Sequence, residues 1–222
     1  MSELSLISGS VSKYATPETE LAVTKAGDYL PYLGLFGGES KLAKEGKIPI
    51  GHFGVCPNSD TVIDLGNEFI CIALSWRPKA IDFDGKTSGL PADQCPVAAF
   101  DPNSTLFQTI QRHPKGGYGP ELLLWLPDNE LFVTYHLMNP TGRRESPNFM
   151  VDLKKKGFGK LKVRSELIKT TQYTWHGPKA SPYDLEVIPP EDNEANQLIL
   201  SKFNNPPSAT TEVKDAEESE RE

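Results

Sequence analysis

Frequent chain breaks limit what this protein can fold into. Its 222 residues include 19 prolines and 18 glycines, and both residue types interrupt long helices. Short strands joined by turns tolerate such breaks better than long helices do. We therefore expect a mainly β protein with short helices. The length suits one domain of roughly 180 residues followed by a tail, with two small domains as the alternative.

Strands are predicted wherever apolar residues alternate or form short runs. The consecutive apolar residues at 69–74 predict a central strand buried on both faces, which Arg77-Pro78 is expected to end. The other predicted strands come in pairs. These pairs are 61–65 with 68–76, 122–126 with 131–138, and 161–169 with 172–177.

Short helices are predicted between the strands and near the carboxyl end. Ser104 is a typical cap for a helix over 104–112. Ser146-Pro147 predicts a second helix, with Ser as cap and Pro as first helical residue. Phe149, Met150 and Leu153 are expected to form its buried stripe. Lys154-Lys155-Lys156 is expected in its last turn, and Gly157 is expected to end it. The apolar island 198–200 suggests a helix docked on the body.

The order of these elements predicts the architecture. A helix between the third and fourth strands of a small antiparallel barrel is the order of the OB-fold. We expect an OB-fold-like antiparallel barrel over 29–188, with an insertion at about 86–119 and extended termini. We expect residues 1–28 to form an amino-terminal arm and residues 189–222 to form an acidic, largely disordered tail. Another partly closed β-barrel and a β-sandwich are the alternatives.

Charge is distributed very unevenly along the chain, whose net charge is −7. Residues 141–179 hold ten Lys or Arg and three acids, a net of +7, whereas 180–222 hold eleven acids and three bases, a net of −8. Aromatic residues accompany the basic segment. This pattern predicts a surface that binds a polyanion and an acidic tail that competes for it.

Cationic and aromatic residues are the candidate binding residues. Lys and Arg neutralise phosphates, and aromatic rings stack on bases whatever their sequence. Tyr173 and Trp175 lie two apart on a predicted strand and so share a face, although packing in the core is an alternative for Trp175 and for Trp76. Gly142-Arg143-Arg144 is expected in a turn. The candidates are Trp76, Arg77, Lys79, Arg143, Arg144, Lys160, Lys162, Arg164, Lys169, Tyr173 and Trp175.

No motif indicates catalysis, a cofactor or a metal. The three widely spaced cysteines match neither a disulfide framework nor a zinc knuckle, and no nucleophile-elbow, zincin or paired-carboxylate motif occurs. We therefore expect a protein that is not an enzyme and has no catalytic residue, metal or cofactor. No apolar run approaches the roughly 18 residues that span a bilayer, so we expect no membrane partner and a cytoplasmic location.

Several segments resemble a known family. Residues 119–127, 142–147, 167–169 and 173–178 look like those of phage-encoded OB-fold single-stranded-DNA-binding proteins, and the acidic tail is similar too. The resemblance covers about residues 50–180 plus the tail. It implies sequence-independent binding of single-stranded DNA in phage-type replication or recombination, in the cytoplasm of an infected cell. It also implies that the tail recruits replication or recombination proteins; self-association is left open.

A different class of function fits the same charge pattern. The chain would then be a non-enzymatic virion structural protein or a host-interaction protein. In that case the basic region would be a protein interface rather than a nucleic-acid surface.

Overall fold

The computed structural model describes residues 30–57, 61–150, 158–184 and 186–206. The predicted arm 1–28, the end of the tail from 207 and residues 153–157 of the predicted second helix lie outside these ranges. In chain order the elements are β1 (Tyr32–Leu35), α1 (Lys41–Lys44), β2 (Phe53–Cys56), β3 (Ile63–Gly66), β4 (Glu68–Asp82), a 3₁₀ turn (Ala92–Gln94), β5 (Val97–Ala99), α2 (Thr105–Arg112), β6 (Gly117–Leu126), β7 (Leu131–His136), α3 (Pro140–Phe149), β8 (Gly159–Lys169), β9 (Thr174–Pro182) and α4 (Glu194–Asn204).

The strands form a single curled sheet. Its order is β3-β2-β1-β7-β6-β4-β8-β9, with β5 beside β4. Among the described strands, only β1 and β7 pair in parallel. The sheet is an open half-barrel with a few short helices around it, which confirms the mainly β prediction. No helix in the described ranges is long and apolar enough to cross a membrane.

Five strands and one helix follow the order expected for an OB-like barrel. The long strand β4 lies centrally and pairs with both β6 and β8, as the first OB strand does. The β6–β7 hairpin, helix α3 and the β8–β9 hairpin complete the set. The sheet is therefore compatible with an OB-like barrel, with β1 added beside β7. The insertion between β4 and β6 contains β5 and α2.

The sheet has two buried faces. The inner face packs around Phe149 of α3, and its strand residues include Cys71, Leu122, Leu124, Val133 and Leu161. The outer face of β6 and β7 carries Leu123 and Phe132, which pack against Ile199 and Phe203 of α4. The predicted docking of the 198–200 island as a helix is thus confirmed. Burial on both faces explains why 122–126 is an unbroken apolar run.

Strand β4 is longer than predicted. It continues through Arg77-Pro78 to Asp82, so the prediction that this dipeptide ends the strand was wrong. Pro78 lies directly opposite Pro120 of β6, and the two missing N–H donors therefore coincide at one position of the ladder. The predicted pairing of 61–65 with 68–76 was also wrong, because β3 pairs with β2.

Helix α3 begins earlier than predicted. Its cap is Asn139, whose side-chain oxygen accepts a hydrogen bond from the Gly142 amide at 2.6 Å, and Pro140 is the first helical residue. Pro147 therefore lies inside the helix, where it cannot bond the Arg143 carbonyl. The Ser146 hydroxyl donates to that carbonyl at 2.8 Å instead. Helix α2 agrees with its prediction, since the Ser104 side chain accepts from the Phe107 amide.

Candidate nucleic-acid interface

Three cations form a row on the outer face of β8. Leu161 and Val163 are buried in the inner core, so the alternating residues Lys160, Lys162 and Arg164 face outward. Successive members of the row lie roughly 7 Å apart, twice the rise per strand residue. This alternation was predicted from the sequence and is the central feature of the candidate interface.

Acidic side chains accompany most of these cations. Lys162 Nζ lies 2.8 Å from Glu68 Oε1, and Arg164 Nη2 lies 2.8 Å from Glu166 Oε1. Lys179 Nζ lies 3.1 Å from Glu145. The local charge is thus smaller than the +7 counted over 141–179. The Lys162–Glu68 and Arg164–Glu166 pairs are exposed, and exposed ion pairs contribute only about 0–1 kcal/mol, so a stronger anion can replace these two carboxylates.

Other cations have no acidic partner within the described part of the chain. Lys160 Nζ lies 5.9 Å from the centre of the Phe158 ring. Lys169 ends β8 and is exposed, and Arg144 is exposed on α3. Lys169 lies an odd number of residues from Lys160, Lys162 and Arg164 in the unbroken strand β8, so its side chain points to the other face of the sheet.

Arg143 serves a different purpose from the one predicted. It lies in the first turn of α3, not in a loop, and its Nη1 donates to the Tyr118 carbonyl at 3.0 Å and to the Met138 carbonyl. Its guanidinium lies 4.2 Å from the centre of the Tyr118 ring. These contacts fix α3 against the start of β6, so Arg143 is a structural residue rather than an open phosphate contact.

Arg77 and Lys79 lie on the outer face of β4, around the buried carboxylate of Glu121. Arg77 Nε donates to Glu121 at 2.7 Å, and Lys79 Nζ also bonds it. Burial alone would raise the pKa of Glu121, but the charges and hydrogen bonds of Lys79 and Arg77 outweigh it and hold that pKa below its usual value. Arg77 and Lys79, both predicted to bind DNA, are thus paired with Glu121 in an ion cluster inside the protein.

Helix α4 covers this ion cluster. The Arg77 guanidinium lies between two rings, 4.2 Å from the centre of Phe100 and 4.3 Å from that of Phe203. Its Nη1 also donates to the Phe203 carbonyl at 2.6 Å. The side chain of Arg77 is therefore enclosed by the insertion on one side and by α4 on the other.

The predicted aromatic residues differ in their surroundings. Trp175 is half-buried, and its Nε1 donates to the Thr141 hydroxyl at 2.9 Å, so it packs against α3. Tyr173 lies in the turn before β9 and is 70% exposed. Trp76 is 44% exposed, but it pairs with Leu122 and so faces away from Arg77. Of the three predicted aromatic residues, Tyr173 is the most exposed.

Several residues of this surface were missed by sequence reasoning. The carboxylates of Glu68, Glu121 and Glu145 are ion-pair partners of the cations, and all three lie far away in sequence from their partners. Phe100 and Phe203, which enclose Arg77, are also remote from it in sequence. No local signal marks such contacts, because they depend on which strands become neighbours.

Neither known proteins nor metal ligands add a further assignment to this surface. No protein-family model, curated protein or solved structure matches the chain. Within the described residues no group of three or more His, Cys, Asp or Glu is placed to hold a metal ion, and Cys56 and Cys71 are buried thiols. The arrangement as a whole can attract a polyanion along β8 and offer one exposed ring at the end of the hairpin.

Proposed function

We propose that this protein binds single-stranded DNA independently of sequence and acts in phage-type DNA replication or recombination, in the cytoplasm of an infected host cell. The observation that carries the proposal is the row Lys160, Lys162 and Arg164 on the outer face of an OB-like sheet. The exposed ring of Tyr173 lies in the turn of the same β8–β9 hairpin.

The mechanism combines backbone electrostatics with stacking. Phosphates replace Glu68 and Glu166 as partners of Lys162 and Arg164, and counterions are released from the DNA. A base stacks on Tyr173, which is worth about 1–3 kcal/mol whatever the base. Residues 207–222 hold six acids and two bases, so this part of the tail competes with DNA for the cations and recruits replication or recombination proteins.

A titration of a fluorescein-labelled oligo-dT, followed by anisotropy, tests the proposal. At low salt we expect micromolar or tighter binding to the single strand, and weaker binding to a duplex of equal length. Binding should fall steeply as salt is raised, because released counterions must be rebound. Absent binding, or binding that does not respond to salt, contradicts the proposal.

The ion pairs in and beside the row favour one alternative. Lys162, Arg164 and Lys179 each have a carboxylate beside them, and such mixed charge also suits a protein interface in a virion component or a host-interaction protein. Light scattering after size-exclusion chromatography separates the two functions. An assembly whose mass is the same with and without oligo-dT favours the protein interface.

A further inference from the structure

Helix α4 is held on the outer face of the sheet by specific contacts. Ile199 and Phe203 pack on Leu123 and Phe132. At the end of the helix the Ser75 hydroxyl donates to Asn204 Oδ1 at 2.6 Å, and Arg77 donates to the carbonyl of Phe203, also at 2.6 Å. The helix therefore covers part of the outer face of β4, β6 and β7.

The surface beneath α4 has both aromatic rings and excess positive charge, the two features with which proteins bind single-stranded DNA. Trp125 and Phe132 lie with their ring centres 4.8 Å apart, and both pack in the cluster that α4 covers. Arg77 and Lys79 share a single carboxylate, that of Glu121, so this ion cluster has one positive charge in excess. Aromatic rings beside excess positive charge are typical of single-strand binding surfaces.

The end of α4 imitates a nucleotide in its contacts with Arg77. The Arg77 guanidinium carbon lies over the Phe203 ring, 4.3 Å from its centre, where a base could stack. The Phe203 carbonyl accepts the hydrogen bond that a phosphate oxygen would accept. The last carbonyls of a helix also carry partial negative charge, so α4 presents a ring and an anionic end to the same cation.

We infer that α4 is a built-in competitor of the DNA strand, which must leave the sheet before the strand reaches Arg77, Lys79 and Trp125. This inference rests on the proposed function, because it invokes the same ligand. Once α4 leaves, these residues and the β8 row form one outer face, since β4 and β8 are neighbours. An eleven-residue helix is only marginally stable by itself, so we expect α4 to unfold when it is displaced.

Hydrogen exchange of the full chain tests the inference directly. Amide exchange is measured by mass spectrometry with and without saturating oligo-dT of 30 nucleotides, and binding is confirmed by anisotropy in the same buffer. We expect the α4 amides to exchange at least about 10-fold faster with DNA, while those of α2 are unchanged. Bound DNA with α4 exchange unchanged or slower overturns the inference and leaves the proposed function intact.

A pair of full-length variants provides a second readout. Phe203→Ala removes the ring that lies on Arg77 and should tighten oligo-dT binding about 5- to 10-fold. Gln197→Ala, on the exposed side of α4, is the matched control and should leave the affinity unchanged. Equal affinities for Phe203→Ala and Gln197→Ala overturn the inference. Absence of binding by every protein, wild type included, overturns the proposed function and the inference with it.

Discussion

Trp175 donates a hydrogen bond from its indole Nε1 to the Thr141 hydroxyl at 2.9 Å. The bond joins β9 to the first turn of α3. Gly177 leaves room for this contact, because a Cβ there would lie 2.5 Å from Thr141 Cγ2. Tyr173, two residues before Trp175, is exposed instead. Although Tyr173 and Trp175 are close in sequence, Trp175 packs against α3 whereas Tyr173 is exposed to solvent.

Tyr173 is the ring expected to contact DNA. Tyr173→Ala should weaken oligo-dT binding roughly 5- to 150-fold, because one base stack is worth about 1–3 kcal/mol. Tyr173→Phe keeps the ring and should bind like the wild type. Anisotropy titrations at one fixed salt concentration measure both. Equal affinity of Tyr173→Ala and the wild type would remove Tyr173 from the interface.

Trp175 is expected to contribute to stability rather than to binding. Trp175→Phe and Thr141→Val each lose the indole hydrogen bond, which should lower the free energy of unfolding by about 1 kcal/mol or more. A double-mutant cycle from urea unfolding should give a coupling of about 0.5–1.5 kcal/mol. A coupling near zero, or a Trp175→Phe protein that has lost DNA binding while still folded, speaks against this assignment.

The acidic end of the tail should reduce DNA affinity. Deleting residues 207–222 removes six acids and two bases and so removes a competitor for the cations. Oligo-dT should then bind more tightly at low salt, and the difference should vanish at high salt because screening weakens the tail's attraction to the cations. An affinity that is unchanged at low salt excludes the tail from the mechanism.

His136 should make stability depend on pH. Burial, with a smaller contribution from the charge of Lys79, lowers the pKa of His136 to about 4. The unfolded chain therefore binds this proton more readily than the folded one, and stability falls as pH drops from about 6.5 towards 4. The loss amounts to about 3 kcal/mol. Urea unfolding of His136→Gln should show a flatter pH profile over this window; parallel profiles contradict the prediction.

Patterns local in sequence predicted part of the fold. The alternation of Leu161 and Val163 with Lys162 and Arg164 correctly assigned the two faces of β8, because strand periodicity depends only on neighbouring residues. The apolar run at 69–74 correctly marked the central strand. The position of one helix between the third and fourth OB-like strands also agreed with the structure.

Contacts between distant residues explain what sequence reasoning missed. Pro78 fits inside β4 because Pro120 lies opposite, and Ser146 compensates for Pro147 within α3. Glu121 pairs with cations more than 40 residues away. The island 198–200 indicated a docked helix, but nothing local specified that the helix would cover Arg77.

The salt dependence of binding tests the central claim most directly, that the row on β8 contacts DNA phosphates. Log affinity for oligo-dT is plotted against log salt for the wild type, for Lys162→Gln/Arg164→Gln and for Lys115→Gln, an exposed control away from the row. For single strands each lost phosphate contact reduces the slope by about 0.7. We predict a reduction of about 1.4 for the double variant and none for Lys115→Gln. Equal slopes for all three proteins would contradict the account.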